Sequence, residues 1–234
     1  MTFPHYTAHR IATILHARIL AADSDHLISH LLTDSRRLTQ AESTLFFALS
    51  SERNDGHKYI DQLYQAGVRN FVIGSDYSFP IQFTGCSVLV VQDTLVALQA
   101  LAAFHRQQFS LPVTAITGSN GKTIVKEWLY QLLKDEFTLV RSPKSYNSQI
   151  GVPLSVWQLR SENTLALFEA GISKPNEMER LAKVIKPTIG IFTNLGSAHD
   201  EGFENKEQKL SEKFKLICRL RCGDLLQRPA GGKT

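Results

Sequence analysis

The residues with the clearest chemistry are Thr117-Gly118-Ser119-Asn120-Gly121-Lys122-Thr123. They follow an apolar run at 113–116 that reads as a buried strand. They precede residues 124–137, where Val125, Leu129, Leu132 and Leu133 recur at helical spacing. Strand, glycine loop and helix in that order are the setting a phosphate-binding loop needs. Gly118 and Gly121 permit positive φ and close approach of an anion. Amide hydrogens at the start of the following helix point at that anion, and the helix dipole favours it. Lys122 would carry positive charge to the outer phosphates of a nucleotide, and the Thr123 hydroxyl can ligate Mg²⁺. Ile116 stands where the full Walker A pattern has its first glycine, and a bare G-x-x-G-K-T could also be a tight turn with a surface lysine. The strand-loop-helix order favours the phosphate reading.

Other groups fall at the ends of neighbouring apolar runs. Glu169 closes the run Leu165-Ala166-Leu167-Phe168, and His199 lies in the loop after the run at 189–193. Either residue alone reads as an ordinary polar turn residue. With Thr123 they supply a hydroxyl, a carboxylate and an imidazole, a set that suits a divalent cation held against phosphates. Asn147 sits in a polar loop on the same side, and such a loop is usually a mere connection. Lys213 lies in the charged stretch 207–215, which on composition reads as a helix with solvated lysines.

The elements that would position these residues alternate between strand and helix. Before the glycine loop, Ile11, Ile14 and Leu15 share a helical face, and Leu45-Phe46-Phe47-Ala48-Leu49 reads as a strand. Residues 51–57 form a turn-rich loop, and Tyr59, Ile60, Leu63 and Tyr64 mark a short helix closed by Gly67. Strands follow at 70–74 and 87–91. Asp93 or Thr94 caps a helix through Phe104, and Pro112 starts the glycine-loop strand. Strands at 137–140, 165–169 and 189–193 and a helix over Met178, Leu181, Ala182 and Ile185 complete the pattern. The expectation is an α/β protein: a small N-terminal α/β domain at 1–90, a parallel-sheet central domain of phosphate-loop type at 91–217, and an atypical tail at 218–234. In such sheets ligands sit beyond the carboxyl ends of the strands.

The chain has 234 residues, is 43% hydrophobic and 21% charged, and carries a formal charge of +4. The tail 218–234 holds Arg219, Arg221, Arg228 and Lys233 against Asp224, so +3 of that charge lies there. The rest is close to neutral, which argues against a nucleic-acid partner. Cys86, Cys218 and Cys222 make no disulfide framework and no zinc pattern. The opening Met1-Thr2-Phe3-Pro4-His5 does not read as a signal peptide, and no apolar run reaches membrane-spanning length. A reducing, cytoplasmic location without membrane insertion is expected.

Taken together, several stretches resemble the Mur ligase family. They are 117–123 with Lys126-Glu127, Asn147 with Ile150-Gly151-Val152-Pro153-Leu154, and Glu169-Ala170-Gly171. To these are added Asn194 with Ala198-His199 and Glu201-Gly202-Phe203. The first part agrees through Thr33-Asp34-Ser35-Arg36, Asp55-Gly56-His57 and Gly67-Val68-Arg69-Asn70-Phe71-Val72. Within the family the wording is most similar to the member that joins D-Ala-D-Ala to UDP-MurNAc-tripeptide, in particular to forms fused to an alanine racemase. The resemblance covers residues 5–217. It implies an ATP-dependent amide ligase of peptidoglycan precursor synthesis. The peptide carboxylate would attack the γ-phosphate of ATP, and the amine of D-Ala-D-Ala would displace phosphate from the acyl phosphate.

The resemblance also implies roles for residues. Gly118, Ser119, Asn120, Gly121, Lys122 and Thr123 would bind ATP. Thr123, Glu169 and His199 would hold Mg²⁺. Ser35, Arg36, His57 and Asn147 would meet the substrate. Lys122, His199 and Lys213 would serve catalysis, Lys213 matching a lysine that relatives often carry as a carbamate.

The pattern breaks after Ile217, where an apolar strand is expected and the basic tail stands instead. The central domain therefore reads as incomplete. The expectation is a fragment of limited stability that does not complete ligation by itself. Another Mur ligase or a folylpolyglutamate synthase relative is the alternative within the class. A non-catalytic nucleotide-binding fragment and a general phosphate-loop ATPase are the alternatives outside it.

Overall fold

A computed structural model describes residues 5–23, 26–51, 54–80, 82–196 and 200–217. The chain forms two compact units: 1–109 with 156–161, and 110–155 with 162–234. It is α/β throughout, with parallel pairing dominant.

The first unit opens with α1 (Ala8–Leu15), capped by the Thr7 hydroxyl, which accepts from the Arg10 amide. Strands β1 (Arg18–Ala22), β2 (His30–Leu32) and β3 (Thr44–Phe47) follow, then the short hairpin of β4 (Ser50–Ser51) and β5 (Asn54–Asp55). Helix α2 (Ile60–Gln65), β6 (Asn70–Gly74), β7 (Ser87–Val91) and α3 (Thr94–Arg106) complete it. The five-stranded sheet runs β1-β7-β6-β3-β2; only β1 is antiparallel to its neighbour. Phe46, Phe71, Val88, Ile60 and Leu63 fill one core cluster. The β1 strand and the β4–β5 hairpin are absent from the sequence pattern. Arg18–Ala22 is half exposed and lacks apolar alternation, and each hairpin strand has only two residues.

The division between units falls at Phe109, not after residue 90. Helix α3 belongs to the first unit because its end is anchored there by a buried polar cluster. His105 Nε2 donates to the Leu159 carbonyl at 3.1 Å, which fixes the tautomer. The Tyr6 hydroxyl therefore donates to Nδ1 at 3.0 Å. Trp157 packs on both rings, with centroids at 4.6 Å from His105 and 4.8 Å from Tyr6, and its Nε1 donates to the Ser29 carbonyl at 2.9 Å. At the other end of α3 the Asp93 carboxylate caps the Leu95 and Val96 amides, and the Thr94 hydroxyl reaches the Ala48 carbonyl.

The second unit contains β8 (Val113–Thr117), α4 (Lys122–Leu133), β9 (Leu139–Arg141) and α5 (Gly151–Val156), the last leading into 156–161. Then come β10 (Leu165–Glu169), α6 (Glu177–Ile185), β11 (Ile189–Phe192) and α7 (Lys206–Phe214). Its sheet, β11-β8-β10-β9, is parallel throughout. β8 and β10 are buried along their full length, as expected for a sheet covered on both faces. Every carboxyl end in this sheet points to one edge, so the loops after Thr117, Arg141, Glu169 and Phe192 converge there. Helix α4 departs from its sequence pattern: Trp128 and Leu132 are 67% and 75% exposed, while Lys126 is fully buried.

Burial pushes the His105 pKa down to about 4. The folded state therefore resists a proton that the unfolded chain accepts near its ordinary pKa of about 6.5. Stability tied to this group is complete above about pH 6.5 and is lost as pH falls toward 4, by roughly 3 kcal/mol. Urea midpoints at pH 7 and pH 4.5 should therefore differ less in His105→Gln than in the unsubstituted chain. An equal acid sensitivity in both would contradict this assignment.

Candidate active site

The glycine loop is shaped by contacts with the strand-end segment after β11. Gly118 has φ 143° and Gly121 φ 80°, values open to glycine and strained for other residues. A Cβ on Gly118 would lie 2.0 Å from Thr193 Oγ1 and 3.0 Å from the Asn194 amide nitrogen. The loop amides of Ser119 and Asn120 donate to the backbone and side-chain oxygens of Asn194, both at 2.9 Å. The Thr193 hydroxyl donates to the Asn120 carbonyl at 2.6 Å, and the Ser119 hydroxyl to the Gly196 carbonyl at 3.0 Å. Ser119 and Asn120 thus spend their amides on tying the loop in place. The amides that lack an intrahelical acceptor by position are those opening α4, at Gly121, Lys122, Thr123 and Ile124.

Three lysines gather around this loop. Lys122 Nζ donates to the Gly118 carbonyl at 2.9 Å and to the Ser119 carbonyl at 3.3 Å. Lys213 Nζ reaches the same Gly118 carbonyl at 3.2 Å, and Lys209 Nζ the Gly196 carbonyl at 2.6 Å. Lys209 and Lys213 are buried, contrary to the solvated helix read from composition. Only one face of α7 carries its charges to solvent. Asn205 caps that helix at the Gln208 amide, and the spacing of 209 and 213 puts both lysines on the inner face. Burial, then the neighbouring Lys122 and Lys209 ammonium groups, lower the Lys213 pKa to about 8. Burial lowers Lys122 as well, opposed by the Glu169 carboxylate.

Glu169 ends β10, paired in register with Ile116 of β8, and this brings it beside the start of α4. The Thr123 hydroxyl donates to its Oε2 at 3.1 Å, and Asn147 Nδ2 approaches the same oxygen at 3.4 Å. Its Oε1 lies 3.0 Å from Lys126 Nζ, a charge contact without hydrogen-bond geometry, and Oε1 has no hydrogen-bond donor. Both side chains are fully buried. Lys126 also donates to the Ser142 carbonyl at 2.7 Å and the Lys144 carbonyl at 2.5 Å, and meets Glu127 Oε1 at 3.2 Å. Removing one partner of such a pair strands a buried charge, at a cost of about 3–5 kcal/mol.

The structure thus brings together Gly118, Ser119, Asn120, Gly121, Lys122, Thr123, Asn147, Glu169 and Lys213. His199 lies outside the described residues. Ser35, Arg36 and His57 belong to the other unit. There the exposed Arg36 guanidinium is held by Asp34 through two bonds of 2.9 and 2.8 Å. His57 is buried and stacked on Tyr77, at 4.4 Å between centroids. It accepts from the Gly74 amide at Nε2 and donates from Nδ1 to Asp55 Oδ1 at 2.6 Å. Both ring nitrogens already have protein partners. The sequence analysis assigned no role to Lys126, Thr193, Asn194 or Lys209. Asn194 and Lys126 lie inside stretches that carry the family resemblance, and that was the available signal.

Chemically, the edge offers a helix start and three ammonium groups for an anion, beside a buried carboxylate, a hydroxyl and an amide for a hard cation. No cluster of three or more His, Cys, Asp or Glu is present among the described residues. A Thr123–Glu169 pair with an oxygen-only donor set suits a cation that draws its remaining ligands from phosphate and water. No helix among the described residues is long and apolar enough to cross a membrane.

Comparison with known proteins gives the same class. Residues 116–227 match the Mur ligase middle domain. The particular relatives are UDP-N-acetylmuramoyl-tripeptide--D-alanyl-D-alanine ligases. The chain is 31% identical to that of Bacillus subtilis over 212 residues, covering 90% of this chain and 46% of the relative. The crystal structure of MurF from Acinetobacter baumannii superposes with a TM-score of 0.83 at 28% identity, over 94% of this chain and 48% of that one. MurF from Thermotoga maritima, solved in complex with ADP, gives 0.71 at 27% identity, over 82% of this chain and 43% of that one. The chain spans about half the length of the relatives it matches.

Gly118→Ala should disrupt the loop, since the added methyl would lie 2.0 Å from Thr193 Oγ1, far inside van der Waals contact, and the φ is strained. The expected result is a loss of roughly 1–3 kcal/mol in urea-unfolding stability and loss of measurable ADP binding by calorimetry. Lys209→Met should raise the Lys213 pKa by removing one adjacent ammonium; ¹³C NMR titration of the lysine ε-carbons reads this directly.

Proposed function

We propose that this chain carries the nucleotide- and UDP-substrate-binding portions of an ATP-dependent ligase that joins D-Ala-D-Ala to UDP-MurNAc-tripeptide in peptidoglycan precursor synthesis. The observation that carries the proposal is the convergence of Lys122, Lys213, Thr123 and Glu169 on one strand-end edge. The parallel order β11-β8-β10-β9 supports it by bringing the strand ends to one side. ATP would lie with its phosphates at the start of α4, where Lys122 turns from the Gly118 carbonyl toward the outer phosphates. Thr123 and Glu169 would hold Mg²⁺, with His199 as the further ligand implied by family resemblance. The bound cation would supply charge neutralisation on the phosphates.

The protein's own contribution is positional and electrostatic. Lys122 holds positive charge against the region where the transferred phosphoryl group develops negative charge. Asn147, at the loop after β9, would orient the substrate carboxylate. A lowered pKa leaves Lys213 with a substantial neutral-amine fraction at slightly alkaline pH, the form that reacts with CO₂ to give a carbamate. In the first unit, Ser35 and Arg36 would meet the UDP-sugar. His57 would act through the wall it builds with Asp55 and Tyr77, its nitrogens being engaged. A cytoplasmic location follows from where such precursors are made. A fused alanine racemase in the parent gene remains part of the same proposal.

Calorimetry with Mg·ATP and with UDP-MurNAc-tripeptide tests the binding half. Lys122→Ala should weaken ATP by roughly tenfold or more, about 1.4 kcal/mol, and leave the UDP compound unaffected. Phosphate release tests the rest. Release that needs both UDP-MurNAc-tripeptide and D-Ala-D-Ala marks ligation. Release independent of both would sink the ligase reading in favour of a general ATPase. Nucleotide binding with no release under any condition would assign this chain a non-catalytic binding role.

A further inference from the structure

Lys126 is a fully buried charged group that the proposed reaction leaves without a task. Its ammonium does not face the edge where phosphates would lie. It sits behind Glu169, seated on the Ser142 and Lys144 carbonyls at 2.7 and 2.5 Å, with the Glu127 carboxylate at 3.2 Å. From that seat it lies 3.0 Å from Glu169 Oε1. The other carboxylate oxygen, Oε2, faces the Thr123 hydroxyl and the Asn147 amide. The two oxygens of one carboxylate thus look in different electrostatic directions, one toward a fixed positive charge and one toward the open edge.

We propose that Lys126 makes Glu169 a one-oxygen donor, so that the site selects a small octahedral cation of the Mg²⁺ class over Ca²⁺. The inference rests on the reading that a metal–nucleotide complex binds at this edge. Mg²⁺ takes six ligands at 2.0–2.1 Å in near-ideal octahedral geometry and is satisfied by single carboxylate oxygens. Ca²⁺ takes six to eight at 2.3–2.6 Å, often using both oxygens of one carboxylate. A cation bound through both oxygens of Glu169 would approach Oε1 and therefore the Lys126 ammonium, in an interior where like charges repel strongly. The ammonium cannot retreat easily: it is fully buried, and its carbonyl partners belong to the backbone just after β9. Lys126 is thereby a positioning residue acting through Glu169.

A purely structural Lys126 would change both metal affinities in parallel, so the Mg²⁺-to-Ca²⁺ ratio is the informative quantity. The experiment is calorimetric titration of ADP in the presence of Mg²⁺ or Ca²⁺, with the unsubstituted chain, Lys126→Met and Lys126→Gln. The glutamine variant keeps a donor for the two carbonyls should the methionine variant fail to fold, as judged by circular dichroism. The expected result is tighter ADP binding with Mg²⁺ than with Ca²⁺ in the unsubstituted chain, and a ratio narrowed roughly tenfold in the variants, the scale at which groups behind a ligand act. Equal affinity for the two complexes in the unsubstituted chain overturns the inference, as does an unchanged ratio in a folded variant. Failure to bind ADP with either metal overturns the nucleotide reading, and this inference with it. Tight but undiscriminating binding overturns the inference alone.

Discussion

The second unit depends on a buried charge pair. Glu169 is the last residue of a fully buried strand, and a carboxylate there costs several kcal/mol unless compensated. Lys126 compensates it from α4, and the Ser142 and Lys144 carbonyls hold Lys126 from the segment after β9. The Ser142 hydroxyl also accepts from the Glu169 amide at 3.1 Å. One pair therefore ties together the helix after the glycine loop, the strand β10 and the loop after β9. Each of these delivers a polar residue to the same edge: Thr123, Glu169 and Asn147. A buried ion pair is a poor source of net stability, but it fixes a geometry that an apolar pair would leave open.

The phosphate loop is held by a second set of constraints. Its conformation is not intrinsic to glycine; it is imposed by Thr193 and Asn194, which occupy the space a side chain on Gly118 would need. The same segment accepts the Ser119 and Asn120 amides and, through the Gly196 carbonyl, Ser119 and Lys209. Three ammonium groups lie around the loop with Glu169 as the nearby buried carboxylate, an excess of positive charge that a polyphosphate would neutralise. Burial, and after it the neighbouring Lys122 and Lys209 ammonium groups, depress the Lys213 pKa to about 8.

In the first unit the buried histidines are held by protein partners. His57 has both nitrogens committed, and His105, never a candidate, anchors α3 through Tyr6 and Leu159. Arg36 is different: its guanidinium is exposed and pre-oriented by Asp34, as a group waiting for an anionic partner would be.

What the sequence determined by itself follows from local physics. Two glycines before Lys122-Thr123, between an apolar run and a helical period, specify strand, loop and helix, because that order depends on backbone freedom and side-chain periodicity over a dozen residues. The parallel sheet of the second unit is legible for the same reason, since 165–168 is an unbroken apolar run and 113–116 is interrupted only by Thr114. The strands at β1 and the β4–β5 hairpin carried no such pattern and were not legible. Only the tertiary structure decided which charges are buried. Lys126, Lys209 and Lys213 stand in sequences indistinguishable from solvated helix faces. Their burial comes from which helix face meets the strand-end loops, and from Glu169 and backbone carbonyls supplied by residues tens of positions away. Compensation of a buried charge is a long-range property, so composition and spacing along the chain do not report it.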